Sequence, residues 1–173
     1  AIADWFDTEL LLTTARENPE FDVHLWGPVL IPFSPDLPNI HLHGEFPQAD
    51  LPGLLAAMDV MIIPFRPSAR AQSSDPIKFY DHAAAGKLTV ATIPPELAQT
   101  GDLVSVAQDP ATFAQAIRAA AQKARDPMTI AALRAFALEN AWSYRAGNLV
   151  EEMERAPLLS VVIPATGPAA PVL

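Results

Sequence analysis

The sequence contains no cysteine, which excludes disulfide bonds, thiolate nucleophiles and zinc sites built on thiolates. Its seven glycines never stand close enough together to form a glycine-rich dinucleotide or phosphate loop. No apolar run reaches the ~18 residues that a membrane-spanning helix needs, and no basic and apolar secretory leader is visible. Membrane association is therefore not indicated, and the lack of cysteine allows the cytoplasmic location that we expect.

Basic residues are also in the minority, with 11 lysines and arginines against 20 aspartates and glutamates and a net charge of −9. A nucleic-acid-binding domain needs a basic face to neutralise phosphates, so we expect no nucleic-acid partner. Half of the residues are apolar and only 18% are charged, which excludes a disordered chain and a coiled coil. The length of 173 residues suffices for one domain with a core of ordinary size.

Short apolar runs rich in β-forming residues alternate with helical stretches, the pattern of a parallel sheet covered by helices. The predicted strands are 21–27, 40–43, 59–65, 87–92 and 103–107, and the predicted helices are 4–17, 50–58, 75–85, 110–124, 127–139 and 141–155. The run DVMIIPF at 59–65 is almost continuously apolar, which suits a central strand covered on both faces. The predicted fold class is α/β, with a doubly wound, Rossmann-like parallel sheet.

Proline is abundant, with 18 residues, and three prolines follow aspartate at a predicted helix start. In Asp75-Pro76, Asp109-Pro110 and Asp126-Pro127 the aspartate is expected to cap the helix and the proline to occupy its first position. Beyond the last helix, LLSVVIP at 158–164 predicts a strand that no helix covers. We therefore divide the chain into a domain at 1–156 and a linker, or the start of a following domain, at 157–173.

The clearest candidate site is the segment 66–81, RPSARAQSSDPIKFYD, which leaves a predicted central strand and enters a helix. In open α/β sheets ligands bind at that end of the strands, and a helix N-terminus offers unpaired N–H groups to phosphate. Its three basic side chains are Arg66, Arg70 and Lys78, and Ser73 and Ser74 add hydroxyl donors beside the helix start. An ordinary solvated loop, with a surface ion pair between Lys78 and Asp81, is an equally good interpretation on these grounds.

Histidine gives a weaker signal. His41 and His43 alternate on one face of a predicted strand, a spacing that a metal pair could use. Ordinary surface histidines are the favoured interpretation, because no cysteine is near and Glu45 lies in a turn. His24 and His82 receive no role, no metal site is predicted, and no serine lies in a Gly-x-Ser-x-Gly elbow.

Four segments resemble the C-terminal domain of family 4, GT-B-fold glycosyltransferases. They are AIADWFDTELL at the start, LPNIHLHGEFPQADLPGLLAAMDVMIIPF at 37–65, SSDPIKFYDHAAAGKLTVAT at 73–92 and ENAWSYRAGNLVEEM at 139–153. The Asp-Val-x-x-x-Pro and Asp-Pro-x-Lys-x-Tyr patterns in this order make the resemblance fairly specific, and it covers residues 1–155. The tail LLSVVIP is similar to the first strand of a GT-A glycosyltransferase domain.

The resemblance implies that this domain binds a nucleotide-sugar donor without a metal or other cofactor. The turn from Gly44 to Phe46 would lie along the base, the helix start at 73–75 (Ser73, Ser74 and Asp75) would meet the pyrophosphate and sugar, and Asp81 would bind the ribose hydroxyls. Arg66 or Arg70 would add positive charge at the diphosphate, although neither matches a fixed basic residue of the family. The family has two glutamates where this chain has Ser73 and Asp81, so the contact of the first acid with the sugar is lost.

The resemblance also implies partners and a reaction. The partners are a nucleotide sugar and an N-terminal acceptor domain of the same longer chain, and the reaction is sugar transfer, with a surface polysaccharide as an expected acceptor. The family's first strand and its glycine loop are missing from residues 1–173. GT-B enzymes close an acceptor domain over this one, and residues 1–173 do not include it, so we expect this piece alone to bind nucleotide weakly and to be inactive. The alternatives are a non-catalytic scaffolding or signalling α/β domain and a sugar-nucleotide epimerase of GT-B fold.

Overall fold

The structure is a computed structural model that describes residues 1–68, 76–92 and 100–155. Its elements, in chain order, are α1 (Thr8–Glu17), β1 (Val23–Trp26), β2 (Ile40–Gly44), α2 (Leu51–Ala57), β3 (Met61–Ile63), α3 (Lys78–Ala84), β4 (Thr89–Ala91), β5 (Val104–Val106), α4 (Pro110–Lys123), α5 (Pro127–Glu139) and α6 (Trp142–Arg155). Short 3-10 turns at Gln48–Asp50 and Gly101–Leu103 precede α2 and β5. Each element predicted within the described residues is present, with ends that differ by a few residues.

The strands form two parallel sheets. β1 pairs with β2, and β3, β4 and β5 pair in that order. Parallel strands joined through helices confirm the predicted α/β class. Within the described residues β1 pairs with β2 alone and β3 with β4 alone, so each presents one edge without a strand partner.

Each sheet has its own apolar core. The three-stranded sheet packs against α3, α4 and α5 through side chains that are at most 2% exposed, namely Ile63, Phe79, Val90, Phe113 and Leu133. The two-stranded sheet packs against α1 and the residues before it, through Ile2, Phe6, Leu11, Ala15, Leu25 and Ile40. Ile62 of β3 packs against both cores, so the sheets belong to one folded unit, which spans residues 1–138.

The segment before α1 connects the ends of the two sheets. Ile2 forms a parallel bridge with Val29, just beyond β1, and Phe6 forms an antiparallel bridge with Phe65, just beyond β3. Asp7 then caps α1 by accepting a hydrogen bond, at 3.0 Å, from a backbone N–H of the first helical turn. The predicted helix start at residue 4 is therefore too early, because the preceding backbone is used in these bridges.

The residues from Glu139 onward form a second unit. Its helix α6 buries none of its residues, and Trp142, Tyr144, Leu149, Val150 and Met153 expose large apolar side chains. The strand predicted at 158–164 lies outside the described residues. Within the described part of the chain, no helix is long and apolar enough to cross a membrane.

Aspartate caps two of the three helices that the Asp-Pro motif predicts. Asp109 accepts a hydrogen bond from the backbone N–H of Thr112 at 3.0 Å, and Asp126 accepts one from that of Thr129 at 2.8 Å. In both helices proline is the first residue. The third predicted cap, Asp75, lies outside the described residues.

Replacing Asp109 tests the prediction that it caps the N-terminus of α4. Asp109→Ala leaves the N–H of Thr112 without its acceptor, so the free energy of unfolding should fall by about 1 kcal/mol. Asp109→Asn keeps an acceptor at the same position and should stay within a few tenths of a kcal/mol of the parent chain. Urea unfolding followed by circular dichroism measures both, and an equal loss in the two variants would contradict the capping role.

Candidate functional site

A cleft of about 1180 Å³ is lined by both sheets. Residues 22–28 line it along the whole of β1, and residues 60–62 line it from β3. Side chains from α1, α2, α3 and α4 complete its walls. Its volume lies slightly above the range of about 300–1000 Å³ that small-molecule sites occupy, so it has room for a ligand of nucleotide-sugar size and more.

Helix α3 carries two charged residues into this cleft. Phe79 and Ala83 on one side of the helix are fully buried, and the ring of Phe79 lies 5.4 Å from that of Phe136 in α5. Lys78 and Asp81 lie away from that buried side and line the cleft. The apolar anchor of the helix therefore determines where its charged residues point.

Desolvation changes the acid–base properties of both residues. Each keeps exposed surface, yet the walls of the cleft exclude enough water to lower the pKa of Lys78 and to raise the pKa of Asp81. Among the ion pairs of the described residues, none joins Lys78 to Asp81, so the surface pair considered from the sequence is not formed. One wall of the cleft thus offers a cation and a carboxylate side by side.

His82 follows Asp81 on the same helix and is buried. Its Nδ1 lies 3.1 Å from the hydroxyl oxygen of Thr89 in β4. Burial, and to a smaller extent the positive charge of Lys78, lowers the pKa of His82 from 6.5 to about 4. The imidazole is therefore neutral at pH 7 and serves as a hydrogen-bonding link between α3 and the sheet.

This depressed pKa predicts a loss of stability in acid. Between pH 6.5 and 4 the unfolded chain binds a proton at His82 that the folded chain does not, so stability falls as the pH drops. Between pH 7.5 and 5 the contribution of His82 amounts to about 2 kcal/mol. The variant His82→Asn keeps a polar atom near the position of Nδ1. Its free energy of unfolding should fall by about 2 kcal/mol less than that of the parent chain between these two pH values. Urea unfolding at both pH values measures the difference, and parallel losses in the two proteins would refute this assignment.

The ends of β1 and β2 form another wall of the cleft. Gly44 ends β2 with a φ of +73°, and its carbonyl accepts a hydrogen bond at 2.6 Å from the N–H of Gly27, whose φ is +117°. Side chains rarely adopt these left-handed angles, so glycine suits both turns. Phe46 follows this turn, is half-buried and lines the cleft.

Arg66 contacts the segment before α1 instead of lining the cleft. Its Nε donates to the carbonyl of Phe6 at 3.1 Å, and its terminal nitrogen lies 3.4 Å from the hydroxyl of Thr8. Its backbone N–H donates to the carbonyl of Trp5 at 2.7 Å. Arg66 is not among the described residues that line the cleft, and its contacts fasten the segment before α1 to the end of β3.

The structure therefore brings together three of the predicted site residues, namely Phe46, Lys78 and Asp81, in one cleft. Gly44 lies at the turn that leads into it, and Arg66 is engaged elsewhere. The remaining four predicted residues, Arg70, Ser73, Ser74 and Asp75, lie outside the described residues.

A polar cluster that was not predicted from the sequence lies on one face of the β1–β2 pair. The cluster contains Asp22, His24 and His41, with His43 and Trp26 stacked beside them. A signal was present, because residues 22, 24 and 26 alternate as residues 41 and 43 do. The strand pairing that brings the two sets together is not visible in the sequence.

The sequence profile of the glycosyl transferase-like family matches residues 8–151, so the chain belongs to that family. No curated protein matches the sequence. The resemblance to glycosyltransferases is thereby confirmed, and the narrower assignment to family 4 stays a prediction.

Several solved structures share the fold. Two are of Anabaena Alr3699/HepE, one in complex with UDP-glucose (TM-score 0.64) and one with UDP and glucose (TM-score 0.61). Both are 15% identical to this chain and cover 90% of it, while it spans 47% and 46% of their length. A third is the glycotransferase of kitacinnamycin, with a TM-score of 0.51, 18% identity, and coverage of 88% of this chain and 41% of that one. The fold is accordingly that of GT-B glycosyltransferases, and the chain spans about half the length of these structures.

Proposed function

We propose that this chain is the donor-binding half of a GT-B glycosyltransferase and holds a nucleoside-diphosphate sugar. The observation that carries the proposal is the cleft shared by Phe46, Lys78 and Asp81 in a member of the glycosyl transferase-like family. Phe46 follows β2 and α3 follows β3, the ends of parallel strands at which α/β proteins bind ligands. The complexes of Anabaena Alr3699/HepE with UDP-glucose and with UDP and glucose support this ligand class.

Each of the three side chains suits one part of such a donor. The carboxylate of Asp81 accepts hydrogen bonds from the two ribose hydroxyls, and the ammonium group of Lys78 lies against the diphosphate. The ring of Phe46 offers an apolar surface to the base. The predicted pyrophosphate contacts of residues 70–75 stay predictions. The low dielectric that shifts the pKa values of Lys78 and Asp81 also strengthens their interactions with a bound ligand.

The reaction that we propose is transfer of the sugar to a hydroxyl group of an acceptor. The acceptor oxygen forms a bond to the anomeric carbon, the bond from that carbon to the diphosphate oxygen breaks, and the nucleoside diphosphate leaves. The proton of the acceptor hydroxyl passes to the departing diphosphate or to water. Negative charge develops on the leaving diphosphate, where a cation such as Lys78 stabilises it without a metal ion. An N-terminal acceptor domain of the same longer chain would supply the other wall of the site, and a surface polysaccharide is the acceptor class that we propose. A cytoplasmic location stays a prediction.

Donor binding can be tested by thermal shift with UDP, GDP, TDP and ADP sugars, on this chain and on one extended at both ends. We expect one nucleotide to stabilise the protein, weakly in this chain and more strongly in the extended one. Asp81→Ala should reduce the affinity about tenfold or more, since a hydrogen bond to a charged group contributes about 1.5–3 kcal/mol. We expect no sugar transfer by residues 1–173 alone.

Asp102→Ala is the matched control, because Asp102 is an exposed aspartate that does not line the cleft. This variant should bind the nucleotide as the parent chain does. If none of the four nucleotide sugars stabilises the extended chain, a scaffolding domain is favoured instead. If Asp81→Ala and Asp102→Ala lose nucleotide affinity equally, Asp81 is not part of the site.

We also propose that a further strand, from chain outside residues 1–173, lies between β1 and β3. Within residues 1–68, 76–92 and 100–155 both strands present an edge without a strand partner, and both line the same cleft. Ile2 pairs in parallel with Val29 just beyond the end of β1, so backbone continued backwards from Ala1 would run alongside β1 and parallel to it. Such a strand would join the two sheets into one, with the donor site at the ends of its strands.

Amide hydrogen exchange can test this strand. The N–H groups of Val23 and Met61 already donate across to the neighbouring strands, so by alternation those of His24, Trp26 and Ile62 point to the open edges. In a chain extended upstream of Ala1 the latter three amides should exchange at least tenfold more slowly than in residues 1–173, while Val23 and Met61 change less. Unchanged exchange at all five amides would contradict the proposal.

A further inference from the structure

A second site lies on the face of the β1–β2 pair that is turned away from the α1 core. His24 of β1 and His41 of β2 are paired in register, and Asp22 precedes His24 by two residues. Since side chains alternate along a strand, all three project from the same face, and Leu25 and Ile40 are buried on the other. The parallel pairing therefore brings two imidazoles and a carboxylate together.

The three side chains converge closely. The Oδ1 atom of Asp22 lies 2.5 Å from Nε2 of His41, and its Oδ2 atom lies 3.3 Å from Nε2 of His24. One ligand atom from each residue can be chosen so that all three lie within 4.8 Å of one another. Ligand atoms around a tetrahedral zinc ion, at about 2.0–2.2 Å from it, are about 3.3–3.6 Å apart. A modest movement of the exposed carboxylate would accommodate an ion between the three groups.

Neighbouring rings hold the two histidines in place. The Nδ1 atom of His24 lies 2.8 Å from Nε2 of His43, which leaves its Nε2 directed to the carboxylate. The rings of His24 and His41 stack at 4.8 Å, and those of Trp26 and His43 at 4.5 Å. A hydrogen bond to the second imidazole nitrogen fixes the orientation of metal-binding histidines in general.

We propose that Asp22, His24 and His41 form a binding site for a divalent transition-metal ion, with zinc as the best fit. Two imidazole nitrogens and one carboxylate oxygen are ligands typical of zinc, whereas magnesium and calcium prefer oxygen alone. Three protein ligands leave one position for water or another ligand. The side chains are 25% (His24), 39% (His41) and 68% (Asp22) exposed, so an ion can enter without unfolding.

The site differs in chemistry from the donor site that we propose, and it lies at the opposite ends of the strands, although Asp22 and His24 also line the cleft. Asp22 precedes β1 and His41 lies near the beginning of β2, whereas Phe46 and α3 follow the ends of their strands. Because its ligands come from both strands, a bound ion would link β1 to β2 at their N-terminal ends. Metal binding is measured without a nucleotide, so its outcome can be distinguished from that of the nucleotide-binding test.

Isothermal titration with Zn²⁺, and with Mg²⁺ as the comparison, tests the proposal on residues 1–173. We expect one Zn²⁺ to bind per chain, an increase in Tm on saturation, and no binding of Mg²⁺. His24→Ala, His41→Ala and Asp22→Asn should each weaken Zn²⁺ binding tenfold or more. Asp36→Asn, which alters an exposed aspartate outside the cluster, should bind Zn²⁺ as the parent chain does.

Cobalt provides a readout that does not depend on the stability of the variants. Co²⁺ added to the parent chain should give the visible absorption bands of a tetrahedral site, and Zn²⁺ should displace it. No Zn²⁺ binding, or Zn²⁺ binding that the three variants leave unchanged, would overturn the proposal. The three side chains would then only hydrogen-bond to one another, with Asp22 between His24 and His41.

Discussion

An interior strand of a parallel sheet needs hydrogen-bonding partners along both edges, and the arrangement of this chain depends on how that need is met. β4 meets it fully, because it lies between β3 and β5. β1 and β3 meet it on one side only within the described residues, and their open edges line the cleft. The cleft is therefore as much a consequence of sheet pairing as a ligand site, which explains why it extends along the whole of β1.

The candidate donor site depends on contacts at the strand ends. The hydroxyl of Thr92 donates to the carbonyl of Phe65 at 2.5 Å, and Phe65 in turn bridges to Phe6. Arg66 adds hydrogen bonds to the same segment. Arg66, which the sequence suggests as a phosphate ligand, thus stabilises the backbone segments that position the site. Substitution of Arg66 would therefore mainly displace the residues of the site, and any loss of positive charge at a diphosphate would be secondary.

Much of this fold could be predicted from the sequence because local signals were strong. The apolar run 59–65 and the Asp-Pro caps at 109 and 126 identify strand and helix positions through short-range chemistry. The separation into two sheets could not be predicted, because it depends on which strands become neighbours. Lys78 and Asp81 were predicted together because they belong to one segment. Phe46 is distant in the sequence, and only the resemblance placed it in the same site before the folded chain brought all three to one cleft.

The histidine cluster illustrates the same limit. Judged along one strand, His41 and His43 are two exposed histidines without a third ligand, and surface histidines are the better interpretation. The register that sets His24 opposite His41 supplies the missing nitrogen and, two residues earlier, the carboxylate of Asp22. A one-residue slip of β1 would turn His24 toward the apolar core and Leu25 toward solvent, so burial of Leu25 also fixes the cluster.

The proposed strand and the proposed metal site are compatible, because the strand would pair with the backbone of His24 and the metal ion would bind its side chain. The backbone N–H of His24 lies in the plane of the sheet and points to the open edge, whereas its imidazole stands out from the face. A strand added beside β1 would occupy the edge and leave the side chains of Asp22, His24 and His41 on the face where they already meet. It would also make β1 an interior strand, which restricts the movement of the histidine and favours a preformed ligand set.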